Sequence, residues 1–226
     1  MTEIFSGFVE GIFVRELKNR FLCEVLIDNT STECYVPSSC HLSNFLALRG
    51  KRVLLLPTQS PNTRTAYALF AVQYKRNYIV VNTGMANKAI DNCIHSRRFA
   101  FLGVRKQVVK EHTIHGYKAD LYISDTDTIV EVKSVISLNT SAQFPTVFSE
   151  RTIKQLQKLY ELLKQGHKAC FLVVSLHPYV SEVILDRDAP FYEELSKCMD
   201  LGLMVAAFTC RLHGNRLLVE KRIPIQ

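Results

Sequence analysis

The stretch KADLYISDTDTIVEVKSV (residues 118–135) sets Asp120, Glu131 and Lys133 inside segments that otherwise read as strands. All three residue types are depleted in strands. An ionised side chain facing a core needs a partner, because burying it alone is costly. These positions therefore face water or perform chemistry. Side chains alternate faces along a strand, so Ile129, Glu131 and Lys133 share one face and Val130, Val132 and Ser134 the other. With SDTD (124–127) as the loop, Ile123 pairs with Thr128 and Asp120 lies opposite Glu131. The preceding His115-Gly116 pair suits a two-residue turn. That turn pairs Ile114 with Tyr117 and sets Glu111 opposite Asp120. Three carboxylates then form a row across three adjacent strands, with Lys133 one step along. A one-residue slip would undo the row.

Like charges directly opposite each other destabilise a sheet. At about 4 Å and an effective dielectric near 20, each such pair costs roughly 4 kcal/mol before screening. A bound divalent cation, a raised carboxylate pKa or nearby Lys and Arg would offset this. Magnesium suits an oxygen-only site with one or two carboxylates, the rest of its shell being water and substrate phosphate. The rival reading is a solvated sheet face where the acids meet Lys110, Lys118 and Lys133. What weighs against it is a later helix whose polar stripe Arg151, Lys154, Gln155 and Lys158 could approach the same sheet.

Those residues need elements to hold them. The first 75 residues read as five short strands, GFVEGIFVREL, RFLCEVLID, TECYVP, RVLLLP and TAYALFAVQY, with a helical turn around SNFLALRG. Five short strands and one small helix suggest a closed OB-like barrel, with a five-stranded SH3-like barrel as the alternative. After about residue 82 the pattern changes. MANKAIDNCIHSRR (85–98) has helical spacing, closed by Arg97 and Arg98. Three strands follow, RKQVVKEHTI, YKADLYI and DTIVEVKSV. SERTIKQLQKLYELLKQG is a helix with Ser149 as N-cap and Gly166 as its stop. KACFLVVSL and LMVAAFTC are continuous apolar runs of the kind found in buried parallel strands. APFYEELSKCMDLG between them is helical, and NRLLVEKRI forms a final edge. The expected fold is α/β (α+β): a small barrel over 1–82, then a mixed sheet flanked by helices over 83–226.

The net charge of +7 raises the odds of a polyanionic partner. Lys18, Arg20 and Phe21 combine cations with an aromatic, as single-strand-binding barrels do. Seven scattered cysteines, odd in number and never spaced CxxC, fit reduced thiols in a cytoplasmic protein better than disulfides or zinc. His112 and His115, three apart on an expected strand, would point to opposite faces and make poor co-ligands. No apolar run is long enough for a membrane span and no signal-peptide pattern opens the chain. Neither a membrane nor an organic cofactor is expected. The oligomeric state stays open, a homodimer included.

Asp120 followed by Glu131-Val132-Lys133 is similar to the D…(D/E)xK signature of the PD-(D/E)xK nuclease superfamily. The wider chain resembles the sugar fermentation stimulation protein (SfsA) family. NRF (19–21), VNTGMANKAI (81–90), Glu111…Gly116…Asp120, EVKSV (131–135), FP (144–145), ER..KQL (150–156) and DAPFYEEL (188–195) occur in that family's order. The resemblance implies an OB-type domain joined to a nuclease-like domain, with DNA or RNA as partner. It further implies Asp120, Glu131 and Lys133 as catalytic residues. Asp120 and Glu131 would hold Mg²⁺ or Mn²⁺, and Glu111 would join directly or through water. Lys133 would orient the attacking water. Arg151 and Lys154 would clamp the scissile phosphate, with Gln155 beside them on the nucleic acid. The chain also departs from the pattern. The family's FPDA…RGxKHL appears as FPTVFSERTIKQL, so Thr146 replaces an acid, Thr152 a glycine and Gln155 a histidine. HxPNTG appears as YVPSSC (35–40). A DNA-binding regulator with a dormant nuclease fold is therefore the alternative function.

Overall fold

The computed structural model describes residues 5–38, 41–44, 47–58 and 64–226. Ser39 and Cys40 of YVPSSC, and part of the expected helical turn around SNFLALRG, lie outside them. The first six strands are β1 (Val9–Glu16), β2 (Leu22–Ile27), β3 (Thr30–Tyr35), β4 (Arg52–Pro57), β5 (Tyr67–Tyr74) and β6 (Asn77–Val80). Their order is β3-β2-β1-β4-β5-β6, and a parallel bridge between Tyr35 and Ala68 joins β3 to β5. The first five strands thus close the expected barrel, and β6 extends the sheet beyond it. A 3₁₀ turn at Leu42–Asn44 sits between β3 and β4. Phe13, Val25, Val36, Leu55, Leu69 and Ile79 fill the interior. Gly11 lies where β1 crosses β2 so closely that a Cβ there would stand 2.9 Å from the Leu26 carbonyl oxygen.

Along β5 the residues Leu69, Phe70, Ala71 and Val72 are all buried, with no alternation. A register shift against β4 explains this: Leu54 pairs with Ala71 while Leu55 pairs with Leu69, leaving Phe70 as an extra residue. Such a bulge re-aims side chains. Phe70 and Ala71 both turn outward into a second core, which they share with Met85, Ile90, Val130, Leu172 and Phe208 of the rest of the chain.

That second part comprises α1 (Met85–Cys93), a 3₁₀ stretch at Arg97–Leu102, β7 (Val108–Lys110), β8 (Thr113–Ile114), β9 (Tyr117–Lys118), β10 (Leu121–Ile123) and β11 (Thr128–Val135). It continues with β12 (Ser141–Phe144), α2 (Glu150–Lys164), β13 (Lys168–Ser175), β14 (Glu182–Leu185), α3 (Pro190–Asp200), β15 (Met204–His213) and β16 (Arg216–Ile223). The main sheet runs β16-β15-β13-β11-β10-β7, with β11, β13 and β15 parallel and the outer pairs antiparallel. The apolar runs read from the sequence are β13 and β15, and β16 is the edge. On one face lie α1 and the barrel, and on the other α2 and α3, whose Leu156, Leu159, Phe191 and Leu195 pack on Phe171 and Ala207.

Three details differ from expectation. The first helix stops at Cys93, so Arg97 and Arg98 open the 3₁₀ stretch rather than close the helix. The strands before β11 are broken into short pieces, Val108–Lys110 with Thr113–Ile114 and Tyr117–Lys118 with Leu121–Ile123. Finally, β6, β12 and β14 have no counterpart in the sequence reading, and the last two form a separate parallel pair.

Candidate functional site

Loop length sets the register that builds the site. Ile123 pairs with Thr128 and Leu121 with Val130, and on the other side Leu121 pairs with Lys110. Regular pairing of β10 then ends, and the same register would have set Ala119 against Val132. Instead Asp120 supplies the missing acceptor: its Oδ2 takes the Val132 N–H at 2.8 Å and its Oδ1 the Asn87 side-chain amide of α1 at 2.7 Å. The carboxylate is thereby fixed at the seam between β10 and β11.

Glu131 sits one residue earlier on β11 and is only 1% exposed. Its Oε1 accepts from Lys133 Nζ and from Gln155 Nε2, both at 2.7 Å, and its Oε2 from the Tyr117 hydroxyl at 2.5 Å. Lys133 Nζ also donates to Gln155 Oε1 at 2.7 Å, which closes a ring of three side chains. Gln155 is where the family pattern has histidine, and here it supplies a donor to the acid and an acceptor to the lysine. Burial first, and the Glu131 charge second, raise the pKa of Asp120 above the usual carboxylate range. Burial and the same Glu131 carboxylate push the Tyr117 phenol up strongly, so it remains a donor.

Asp120, Glu131, Lys133, Gln155 and Arg151 all line one open cleft of about 550 Å³. Its walls come from the start of α1 at Thr83 and Gly84, from β11, and from the loop 145–149 with the first turn of α2. Ser149 caps α2 by accepting from the Thr152 N–H at 3.2 Å, which aims the helix start at the cleft. Arg151 is exposed at the rim and makes no ion pair among the described residues. Thr146, in place of the family's acid, also lines the cleft.

Of the other expected residues, Glu111 lines the edge of this cleft and the rest fall elsewhere. Glu111 is opposite Asp120 in register, and its N–H bonds the Asp120 carbonyl at 3.0 Å. Its backbone, however, turns left-handed at φ 50°, and its carboxylate swings out to Lys118 Nζ at 2.5 Å, 72% exposed. The row of three expected acids is therefore two convergent carboxylates and one turned away at the margin. Lys118 holds Glu111 below the usual carboxylate range. Lys154 does not reach the cleft; it lies in the next groove along α2 with Lys158, 3.9 Å from Glu150. On the barrel, Phe21 is a surface residue rather than core: it is 38% exposed, stacks on exposed Tyr35 at 6.5 Å, and carries the Arg20 guanidinium 4.8 Å above its ring. Lys18 is exposed in the same turn between β1 and β2. His112 stacks on Tyr122 while His115 faces His167, so that pair of histidines shares no ligand position.

Two groups of the site have no signal in the motif. Asn87 and Tyr117 come from α1 and the short β9, and only the three-dimensional crossing of these elements brings them to the acids. Tyr117 had one hint: a phenol on the strand beside Glu131 is a natural donor to a buried carboxylate.

Among the described residues no group of three or more His, Cys, Asp or Glu is arranged to hold a metal. Two carboxylates suffice for a hard cation that draws its remaining ligands from water and phosphate. A carboxylate has about four lone-pair positions, and Asp120 uses one on each oxygen while Glu131 keeps one on Oε2. Donor type and free capacity therefore fit one oxygen-seeking divalent ion.

A closed barrel followed by a curled mixed sheet, with an acid–acid–lysine cluster in a cleft between its helices, defines an OB-barrel α/β protein of two parts. Family models match both: "SfsA N-terminal OB domain" over residues 16–81 and "Sugar fermentation stimulation protein RE domain" over residues 84–216. The chain belongs to the sugar fermentation stimulation protein (SfsA) family. It is 28% identical to the sugar fermentation stimulation protein homolog of Shewanella loihica, covering 97% of each chain. It is 27% identical to that of Pseudoalteromonas atlantica, covering 99% of each. Its fold is also that of a solved structure described as Pyrococcus furiosus SfsA in complex with Ca²⁺, with a TM-score of 0.85, 18% identity, and coverage of 100% of this chain and 99% of that one. No helix among the described residues is long and apolar enough to cross a membrane.

Proposed function

We propose that the cleft is a divalent-metal-dependent phosphodiesterase site acting on DNA or RNA. The observation that carries this reading is the convergence of half-buried Asp120 and buried Glu131 with Lys133 in one open cleft, beside an Arg151 that has no ion-pair partner among the described residues. Asp120 and Glu131 would hold Mg²⁺ or Mn²⁺; the Ca²⁺ in the description of the Pyrococcus furiosus structure is likewise an oxygen-seeking ion. When bound, such an ion polarises a phosphoryl oxygen and acidifies water. The protein's own groups do the rest. Arg151 would take the substrate phosphate from the rim, where a guanidinium can bind it bidentately. Lys133, held by Gln155, would donate to developing negative charge on the phosphoryl oxygens. Asn87 and Tyr117 keep the two acids in place through a hydrogen bond each.

Cleavage of single- and double-stranded DNA and RNA with Mg²⁺ or Mn²⁺ tests this. Wild type should cut, EDTA should stop it, and Asp120→Ala and Lys133→Ala should abolish it. Cutting that survives in both variants sinks the proposal. A second reading, a binding protein with a dormant site, is favoured by one observation: Lys133 is already bound to Glu131, and Thr146 stands where the family pattern has an acid. Binding that EDTA leaves unchanged, without cleavage, would select it.

A further inference from the structure

The cleft is polar and charged, yet the loop that forms one wall presents two successive apolar side chains to water. Val147 lines the cleft and is exposed, and Phe148 beside it is 65% exposed, more than any other large hydrophobic residue described. Phe148 makes no ring contact with any described aromatic, whereas most other phenylalanines of the chain do. It immediately precedes the Ser149 cap of α2, three residues ahead of Arg151, and Lys154 and Lys158 follow along that helix. Leaving a phenyl ring in water is unfavourable, and a flat partner that covers it recovers that burial. A ring in that position, three residues before Arg151 at the rim of the cleft, matches a ligand with an anionic backbone and a flat apolar face.

We propose that Phe148 stacks on an unpaired nucleobase next to the phosphate held in the cleft, so that the site prefers single strands or frayed ends over intact duplex. This rests on the nucleic-acid reading of the cleft and adds the strand type and the residue that selects it. Arg151 holds the phosphate, and the ring takes the neighbouring base, a face that a paired and stacked duplex does not offer. Phe148 acts on binding and positioning, not on the phosphoryl chemistry itself.

Fluorescence titration of the full chain provides the test, with a short single strand containing one 2-aminopurine and the corresponding blunt duplex, in Ca²⁺. Wild type should quench the probe in the single strand. Phe148→Ala should lose the quench and about 5-fold to 100-fold of single-strand affinity, with duplex affinity unchanged. Phe148→Tyr, which keeps a stacking face, should behave as wild type. If Phe148→Ala binds the single strand as wild type does while Arg151→Ala weakens it, the stacking inference falls and the nucleic-acid reading stands. Equal losses on single strand and duplex would likewise overturn the inference. Wild type that binds neither overturns both readings together. A sedimentation change from dimer to monomer in Phe148→Ala, with affinity unaltered, would assign the ring to a second copy of the chain and refute the proposal.

Discussion

Replacing Lys133 by methionine removes a charge from the cleft while keeping the stem of the side chain. In wild type the Lys133–Glu131 contact is 2.7 Å, the acid is nearly fully enclosed, and the lysine is largely buried. At that distance and an effective dielectric near 20, the attraction amounts to about 6 kcal/mol. The desolvation of both ions offsets part of it, and breaking such a pair typically costs about 3–5 kcal/mol because one charge is left enclosed. Glu131 retains the Tyr117 hydroxyl and the Gln155 amide as donors, so the lower end applies, about 3 kcal/mol. For a chain of this size that corresponds to roughly 6–12 °C in Tm. Urea unfolding followed by circular dichroism, with the m-value as a check on the denatured state, reads the change in EDTA. Two further results are expected. Glu131→Gln combined with Lys133→Met removes both members of the pair and recovers most of the loss, and millimolar Mg²⁺ stabilises Lys133→Met more than wild type. A Lys133→Met protein within about 0.5 kcal/mol of wild type, the range of an ordinary surface change, would refute the account of an enclosed pair. So would a double variant whose losses simply add.

Burial holds the His177 imidazole well below its ordinary value, at about 4, with Nδ1 accepting the Tyr179 N–H at 2.9 Å. Between pH 6.5 and 4 the unfolded chain binds a proton that the folded one refuses, so stability falls as pH falls through that window, by up to roughly 3 kcal/mol; His177→Asn, which keeps an acceptor, should flatten this dependence in urea titrations across the range. Gly11→Ala should destabilise by about 1–3 kcal/mol through overpacking, since its new methyl meets the Leu26 carbonyl at 2.9 Å, and its Tm should drop while nucleic-acid affinity in the folded protein is unchanged. Arg151→Ala should leave Tm unaltered and lower the slope of log affinity against log salt by about one, as the loss of a single phosphate contact does; an unchanged slope would remove Arg151 from the binding path.

The approach of Asp120 to Glu131 is legible in the sequence because two short loops fix parity, and parity alone decides which side chains share a face. Glu111 is not legible in the same way. Its register is right, but a left-handed backbone at that one residue aims the carboxylate at Lys118, and nothing in a run of residue types announces that turn. The barrel follows from its alternating strands, whereas β6 is four residues long and reads as the tail of a turn. The pairing of β12 with β14 joins segments that lie far apart in the chain, and short-range patterns carry no information about that. Phe21 shows the reverse difficulty: an aromatic in a β-rich stretch suits core and surface equally, and only the stack with Tyr35 decides between them. Gln155 was visible as a departure from a pattern, but its double hydrogen bond to acid and lysine depends on how far α2 leans over β11.

The bulge at Phe70 has a consequence for how the protein meets a ligand. Since two consecutive side chains of the barrel wall are embedded among those of the neighbouring sheet, and the Val80 amide is tied to the Leu176 carbonyl at 3.2 Å, the halves cannot swivel like beads on a string. A polymer that touched both would have to bridge a span set in advance, so the molecule would measure such a ligand as a ruler does instead of wrapping around it.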